Sequence, residues 1–285
     1  MVSRNPGTQP ISAPCRKGPG RGFLAFGAGA VVGVLGGLIG LGGAEFRLPV
    51  LVRVFGYSVR QAVPLNLVVS AFTLGAGLVT RVQVLALDPV TPYFLPIISL
   101  LGGALLGAYA GPALAVRLSA RRFGRLVACL LLAIGGLLIV EGLVPIGVGL
   151  GLSAWAAVVV TGLGLGIAIG MASSLLGVAG GELIIPALVL VYGVPIKAAG
   201  TGALLVGLPT VLVGIGRWVR RGRPNLRGEL ADVVLPMAAG SVLGASAGGL
   251  LAAAAPGTLL KVLLGLILVA TAVRGLGDHR QPPDR

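Results

Sequence analysis

Apolar residues run along this chain in long unbroken stretches, separated by short clusters of arginine. Charge-free runs cover residues 22–44, 61–80, 89–116, 126–140, 142–181, 198–216, 233–260 and 262–273. Several exceed the roughly 20 apolar residues that an α-helix needs to cross a bilayer. Backbone N–H and C=O groups in lipid must pair within their own segment, so these runs predict helices. Strands of a membrane barrel would alternate polar with apolar side chains, and these stretches do not. The pattern predicts an all-α polytopic membrane protein.

Sliding the chain against itself shows how the helices are organised. Gly40-Leu-Gly-Gly-Ala-Glu45-Phe-Arg-Leu-Pro49 aligns with Gly177-Val-Ala-Gly-Gly-Glu182-Leu-Ile-Ile-Pro186, an offset of 137. The offset holds without a gap from Gly27/Gly164 to Gly111/Gly248 and pairs Gly56 with Gly193, Ala62 with Ala199 and Thr73 with Thr210. Glycine-rich sequence matches itself by accident, so the Glu and Pro pairs in one register carry the weight. Two five-segment repeats follow, at 23–42, 44–56, 60–81, 92–116 and 123–142, then 153–179, 181–193, 197–217, 230–252 and 257–275. Eight of these read as long spans. The other two, 44–56 and 181–193, would reach only about 20 Å as helices, short of a bilayer core of about 30 Å. They are expected to be short broken helices, crossing or re-entrant. Domain boundaries fall at 1–22 for an N-terminal tail, 23–142 and 153–275 for the repeats, and 276–285 for a C-terminal tail.

Charge sets orientation. Only 11% of the 285 residues are charged while 56% are hydrophobic, too little charge to cover a soluble surface. The formal charge of +14 comes from Arg and Lys in short loops between spans. Placing both termini in the cytoplasm puts Arg53, Arg60, Arg117, Arg121, Arg122, Arg125, Arg217, Arg220, Arg221, Arg223 and Arg227 inside. Arg81, Lys197 and Lys261 fall on the far side, with Arg47 on either. This asymmetry obeys the positive-inside rule. Each repeat crosses an odd number of times, so the two halves are expected to be inverted relative to each other. No basic face with interleaved aromatics exists, so nucleic acid is excluded as a partner.

The repeated motif is the candidate site. Gly42-Gly43 and Gly180-Gly181 interrupt a helix, and Pro49 and Pro186 limit its hydrogen bonding further on. Irregular backbone at membrane depth is tolerated where it is buried in protein or lines a cavity. Paired short, Gly/Pro-interrupted segments are the best sequence pointer to a transporter's central site. Their freed N–H groups would suit a small anion, with Gly42, Gly43, Ala44, Gly180 and Gly181 as backbone contacts. Glu45 and Glu182 are the most informative side chains, because a carboxyl in a membrane segment is costly. Burial would favour their neutral form, which suggests proton coupling; the alternative is a first-turn Glu that satisfies orphan amides. Asn66 and Thr201, and with them Ser70, Thr73 and Thr210, are secondary polar candidates; Arg47 and Lys197 either attract an anion or snorkel to an interface.

Other features resolve into packing. Glycine ladders at 29/33/37, 103/107/111, 162/166/170 and 240/244/248 let helix backbones approach closely, inside the subunit or at a homodimer contact. Cys15 and Cys129 form no disulfide or metal pattern, and His279 is the only histidine, so no metal or other cofactor is called for. Intramembrane hydrolysis needs a His pair or a base beside its nucleophile, and Ser173 and Ser174 have neither nearby in sequence.

The doubled break with its Pro, the following Gly56 and Gly193, and Ala199-Gly200-Thr201 resemble the TauE/SafE sulfite-exporter family, also called the 4-toluene sulfonate uptake permease family. The similarity spans about residues 23–275. Departures occur where the family's three glycines read Gly42-Gly43-Ala44 and Ala179-Gly180-Gly181, and where Pro64 stands opposite Thr201. The resemblance implies a secondary transporter of sulfite, sulfonates or other organosulfur anions in a bacterial inner membrane. An anion channel or a membrane assembly factor is the competing expectation.

Overall fold

A computed structural model describes residues 20–85, 89–114, 120–144, 149, 151, 154–176, 180–220 and 230–278. Most of the expected N-terminal tail, Cys15, Arg117, Gly177 to Ala179, Arg221, Arg223, Arg227 and His279 lie outside these residues.

The described chain is helical: α1 Arg21–Ile39, α2 Ala44–Arg53, α3 Val59–Leu85, α4 Phe94–Leu114 after a 3-10 turn at Thr91–Tyr93, and α5 Ala120–Leu143. The second half gives α6 Trp155–Leu176, α7 Gly181–Pro186 with a wide π turn Ala187–Val191, α8 Ile196–Arg220, α9 Leu235–Ala254 after a π turn Leu230–Val234, and α10 Gly257–Asp278. Segment ends fall close to those expected. A π turn, Ala187–Val191, directly follows Pro186.

Length and composition qualify six helices to cross a membrane: α1, α3, the segment Thr91–Ala110, α6, α8 and the segment Ala231–Ala254. Among the described residues, six of the eight expected spans are long and apolar enough to cross. α5 and α10 contribute the further apolar stretches Val127–Leu143 and Gly257–Val273 among the described residues. Polarity runs inside out relative to a soluble protein. Phe23, Leu106, Tyr109, Trp155, Val160, Leu243 and Leu250 face outward, whereas Arg47, Asn66, Ser70, Thr73, Arg81, Glu182 and Thr201 are buried. A surface of Leu, Val and aromatic side chains belongs in lipid, so this is a multi-pass membrane protein.

Helix partners are exchanged between the halves. α1 packs along α9, α6 along α4, and α5 against α10, while α3 and α8 pack together in the middle. Glycine makes the tightest of these contacts. A Cβ at Gly29, Gly33 or Gly37 would run into backbone of Met237, Ser241 or Ala245 on α9; one at Gly240, Gly244 or Gly248 would meet carbonyls of Phe26, Ala30 or Val34 on α1. The α4–α6 contact repeats this. Gly103 and Gly107 meet the carbonyls of Leu163 and Ile167, and Gly166 and Gly170 meet those of Leu100 and Ala104. Adding 137 to one member of a pair and subtracting it from the other turns the first contact into the second: Gly29 with Met237 becomes Gly166 with Leu100. The ladders thus serve contacts inside the subunit.

Because these contacts are backbone against backbone, no side chain can move aside for an added methyl. Gly107→Ala and Gly244→Ala should each lower the detergent melting temperature strongly and by similar amounts. Gly136→Ala, with open space at its Cβ, should leave it unchanged or raise it, since Ala exceeds Gly in helix propensity by about 1 kcal/mol. Thermal melts by fluorescence-detected size exclusion check both.

Candidate functional site

Two short helices begin at equivalent glycines. Gly43 precedes α2 with φ 69° and Gly180 precedes α7 with φ 75°, the left-handed backbone that side chains rarely adopt. At Gly43 a Cβ would also press on Val32. The breaks touch: a Cβ on Gly181 would lie 2.9 Å from the carbonyl oxygen of Leu41. Gly40, at φ 97°, lies against the backbone of Gly200 on α8.

The first turns of α2 and α7 bring Glu45 and Glu182 together as side-chain neighbours. Glu182 is buried. Both carboxylate oxygens of Glu45 are sealed, and neither accepts a hydrogen bond of normal geometry among the described residues. Its own backbone amide lies close enough to interact with the carboxylate. Gly43, the residue before α2, makes no side-chain cap.

Arg47 does not snorkel. It is fully buried, donates through Nη2 to the Gly42 carbonyl, and places Nη1 3.5 Å from Ser70 Oγ. Its Nε has no partner. Glu45 is the carboxylate it feels most. Ordering the break further, Asn66 Nδ2 on α3 donates to the Ala44 carbonyl at 2.9 Å, and Ser70 Oγ donates to the Asn66 carbonyl at 2.7 Å. The glycines, Ala44, Glu45, Asn66 and Glu182 thus form one centre, with Arg47 and Ser70 added.

Thr201 belongs to a neighbouring cluster. Its Oγ1 lies 3.3 Å from the Lys197 carbonyl and 3.5 Å from Arg81 Nη1. Arg81, expected at the far-side end of segment 60–81, lies within α3 and is buried. Its Nε and Nη2 donate to the carbonyls of Gly37 and Leu38 at 3.2 and 2.8 Å, and Nη1 to that of Lys197 at 3.1 Å. The last carbonyls of α1 have no partner within their helix, and this guanidinium supplies one. Lys197 Nζ in turn donates to the Ala253 carbonyl at 2.8 Å, near the end of α9. A cavity of about 350 Å³ beside Lys197 and Thr201 is otherwise lined by apolar residues, Leu85, Val90 and Ile196 among them. Thr73 and Thr210 bond carbonyls one turn back, at Val69 and Val206, which is the ordinary use of threonine in a membrane helix.

Sequence reasoning missed three ionic features: the burial of Arg47, the Arg81 clamp, and an ion pair of 2.6 Å between Lys261 on α10 and Glu141 on α5. A signal for the first was present. Arg47 stands two residues from Glu45 in an otherwise apolar segment, where a charge is a functional candidate by default.

Loss of the clamp has a defined consequence. Arg81→Met should destabilise the folded protein by about 2–4 kcal/mol, because it removes charge-assisted hydrogen bonds and strands buried carbonyls. Arg81→Lys should recover part of this. Melting of both variants in one detergent checks the order, and an unchanged Arg81→Met would contradict the clamp.

A family model described as Sulfite exporter TauE/SafE matches residues 2–138 and 162–285. No curated protein and no solved structure matches the chain.

Proposed function

The chain belongs to the TauE/SafE sulfite exporter family, and from that premise we propose that it is a proton-coupled secondary transporter of small sulfur-containing anions, sulfite or sulfonates, in a bacterial inner membrane. One observation carries this reading: the glycine breaks of the two halves meet, and there Glu45 and Glu182 lie side by side near the buried Arg47. Irregular backbone and buried charge at membrane depth are expensive and persist where they serve a transported ion. Backbone at Gly42, Gly43, Ala44, Gly180 and Gly181, with Asn66, forms the substrate contacts. Thr201, in the neighbouring Arg81 cluster, is a further substrate contact. The two carboxyl groups hold a proton between them, since a pair in contact cannot easily carry two charges out of water.

The transporter is built from the repeats 23–142 and 153–275, flanked by the tails 1–22 and 276–285. These halves are inverted, with eight crossings in which α5 and α10 join the six longer spans, and with both termini in the cytoplasm. Exchange of helix partners under the offset of 137 supports this arrangement. So does the loop-charge asymmetry.

Topology is testable by labelling. In a background lacking Cys15 and Cys129, an impermeant maleimide should reach Val144→Cys on intact cells. It should reach Val219→Cys only after permeabilisation. Both positions are exposed in the structure. Access to residue 144 from the cytoplasm alone would sink the inversion.

Coupling is testable by flux. Purified protein in proteoliposomes should carry sulfite or a sulfonate faster under a pH gradient. The double variant Glu45→Gln with Glu182→Gln should still carry substrate but ignore that gradient. A full response in the double variant would make these glutamates structural.

A further inference from the structure

The halves of the site share a backbone and differ in chemistry. The offset of 137 places Ile184 opposite Arg47, Ala203 opposite Asn66 and Gly207 opposite Ser70. A doubled scaffold therefore holds two carboxyl groups and a single cation. That cation is fully buried, and its Nε has no partner. The second buried arginine, Arg81, differs: Nε, Nη1 and Nη2 are all engaged by carbonyls of Gly37, Lys197 and Leu38. The other cation near the α8 end of the site, Lys197, is bonded to the Ala253 carbonyl. Among the described residues on the elements packed around the break, Arg47 alone keeps a buried donor uncommitted.

We infer that Arg47 holds the transported anion, and that with Glu45 and Glu182 it restricts the site to one singly charged oxyanion accompanied by one proton. The inference rests on the transporter reading above and gives it a charge count. In the empty site, one proton shared by the two carboxyl groups leaves one negative charge, which Arg47 neutralises. An arriving monoanion competes with that carboxylate for the guanidinium. The displaced carboxylate takes up a second proton, and the loaded site is again neutral. Anion and proton leave together, so no net charge crosses the membrane. A dianion would leave one uncompensated charge in a sealed, low-dielectric centre, where lone ions are strongly penalised. A guanidinium fork suits the planar pairs of oxygens that a sulfonate or hydrogen sulfite presents.

The experiment uses full-length protein in proteoliposomes, with radiolabelled methanesulfonate as the monoanion and sulfate as the dianion. Methanesulfonate flux in the native sequence should follow the pH gradient, yet remain unchanged by a potassium diffusion potential of either sign. Sulfate should not compete. Arg47→Gln should lower flux on the order of 100-fold, and Arg47→Lys, which keeps the charge without the fork, by about 10-fold. The double variant Glu45→Gln with Glu182→Gln leaves Arg47 without a titrating counter-charge. Its flux should become driven by potential. Native flux that responds to potential, sulfate competing as well as methanesulfonate, or unchanged flux in Arg47→Gln would each overturn the inference while the transporter reading stands. If Arg47→Gln melts too low to assay, the potential measurement on the native sequence decides alone. Absence of carrier flux for any sulfur anion would overturn the transporter reading and this inference with it.

Discussion

Everything in this structure follows from the rule that a backbone carbonyl freed at membrane depth must find a donor. Ending α1 at Ile39 and restarting at Ala44 releases carbonyls with no water to take them. The chain answers with buried cations and an amide: Arg81 for Gly37 and Leu38, Arg47 for Gly42, and Asn66 for Ala44. All three donors come from outside α1, two of them from α3. The break is therefore held open by the neighbouring helix rather than by its own sequence, and it persists only while α3 stays in register with α1 and α2.

That register is secured at the glycine crossings. With lipid on the outside, water drives no helix against another, so close packing must do the work. Contacts between bare backbones at Gly29, Gly33 and Gly37, and at their counterparts on α4 and α6, leave no slack for sliding. Since α1 packs on α9 and α6 on α4, each half is clamped by a helix of the other. The glycine breaks that follow α1 and α6 are thereby fixed relative to each other, which is what brings Glu45 beside Glu182.

Helical segments were legible in the sequence because length and polarity decide them without reference to partners. The ladders at 103/107/111 and 240/244/248 announced close crossings for the same local reason. Their partners were not legible: nothing in the spacing of Gly29 says that it meets Met237 rather than a second copy of the chain. Arg81 shows the limit most clearly. A loop-charge count treats every arginine near a span end alike, whereas this one is drawn inward by carbonyls 43 and 44 residues earlier in the chain. Lys197 follows the same pattern through Ala253. Charges at helix ends are ambiguous in sequence because the alternative partners, lipid headgroups and helix C-termini, are chemically similar attractions.

Duplication explains why the site is built as it is. Two copies of a broken segment supply paired positive-φ glycines at 43 and 180, and again at 56 and 193, so the scaffold is symmetric where backbone conformation matters. Side chains diverge where charge matters. Both glutamates are retained in the repeat, but only one arginine. The repeat thus supplies geometry, and its departures from symmetry at Arg47, Asn66 and Ser70 set the two halves apart in chemistry.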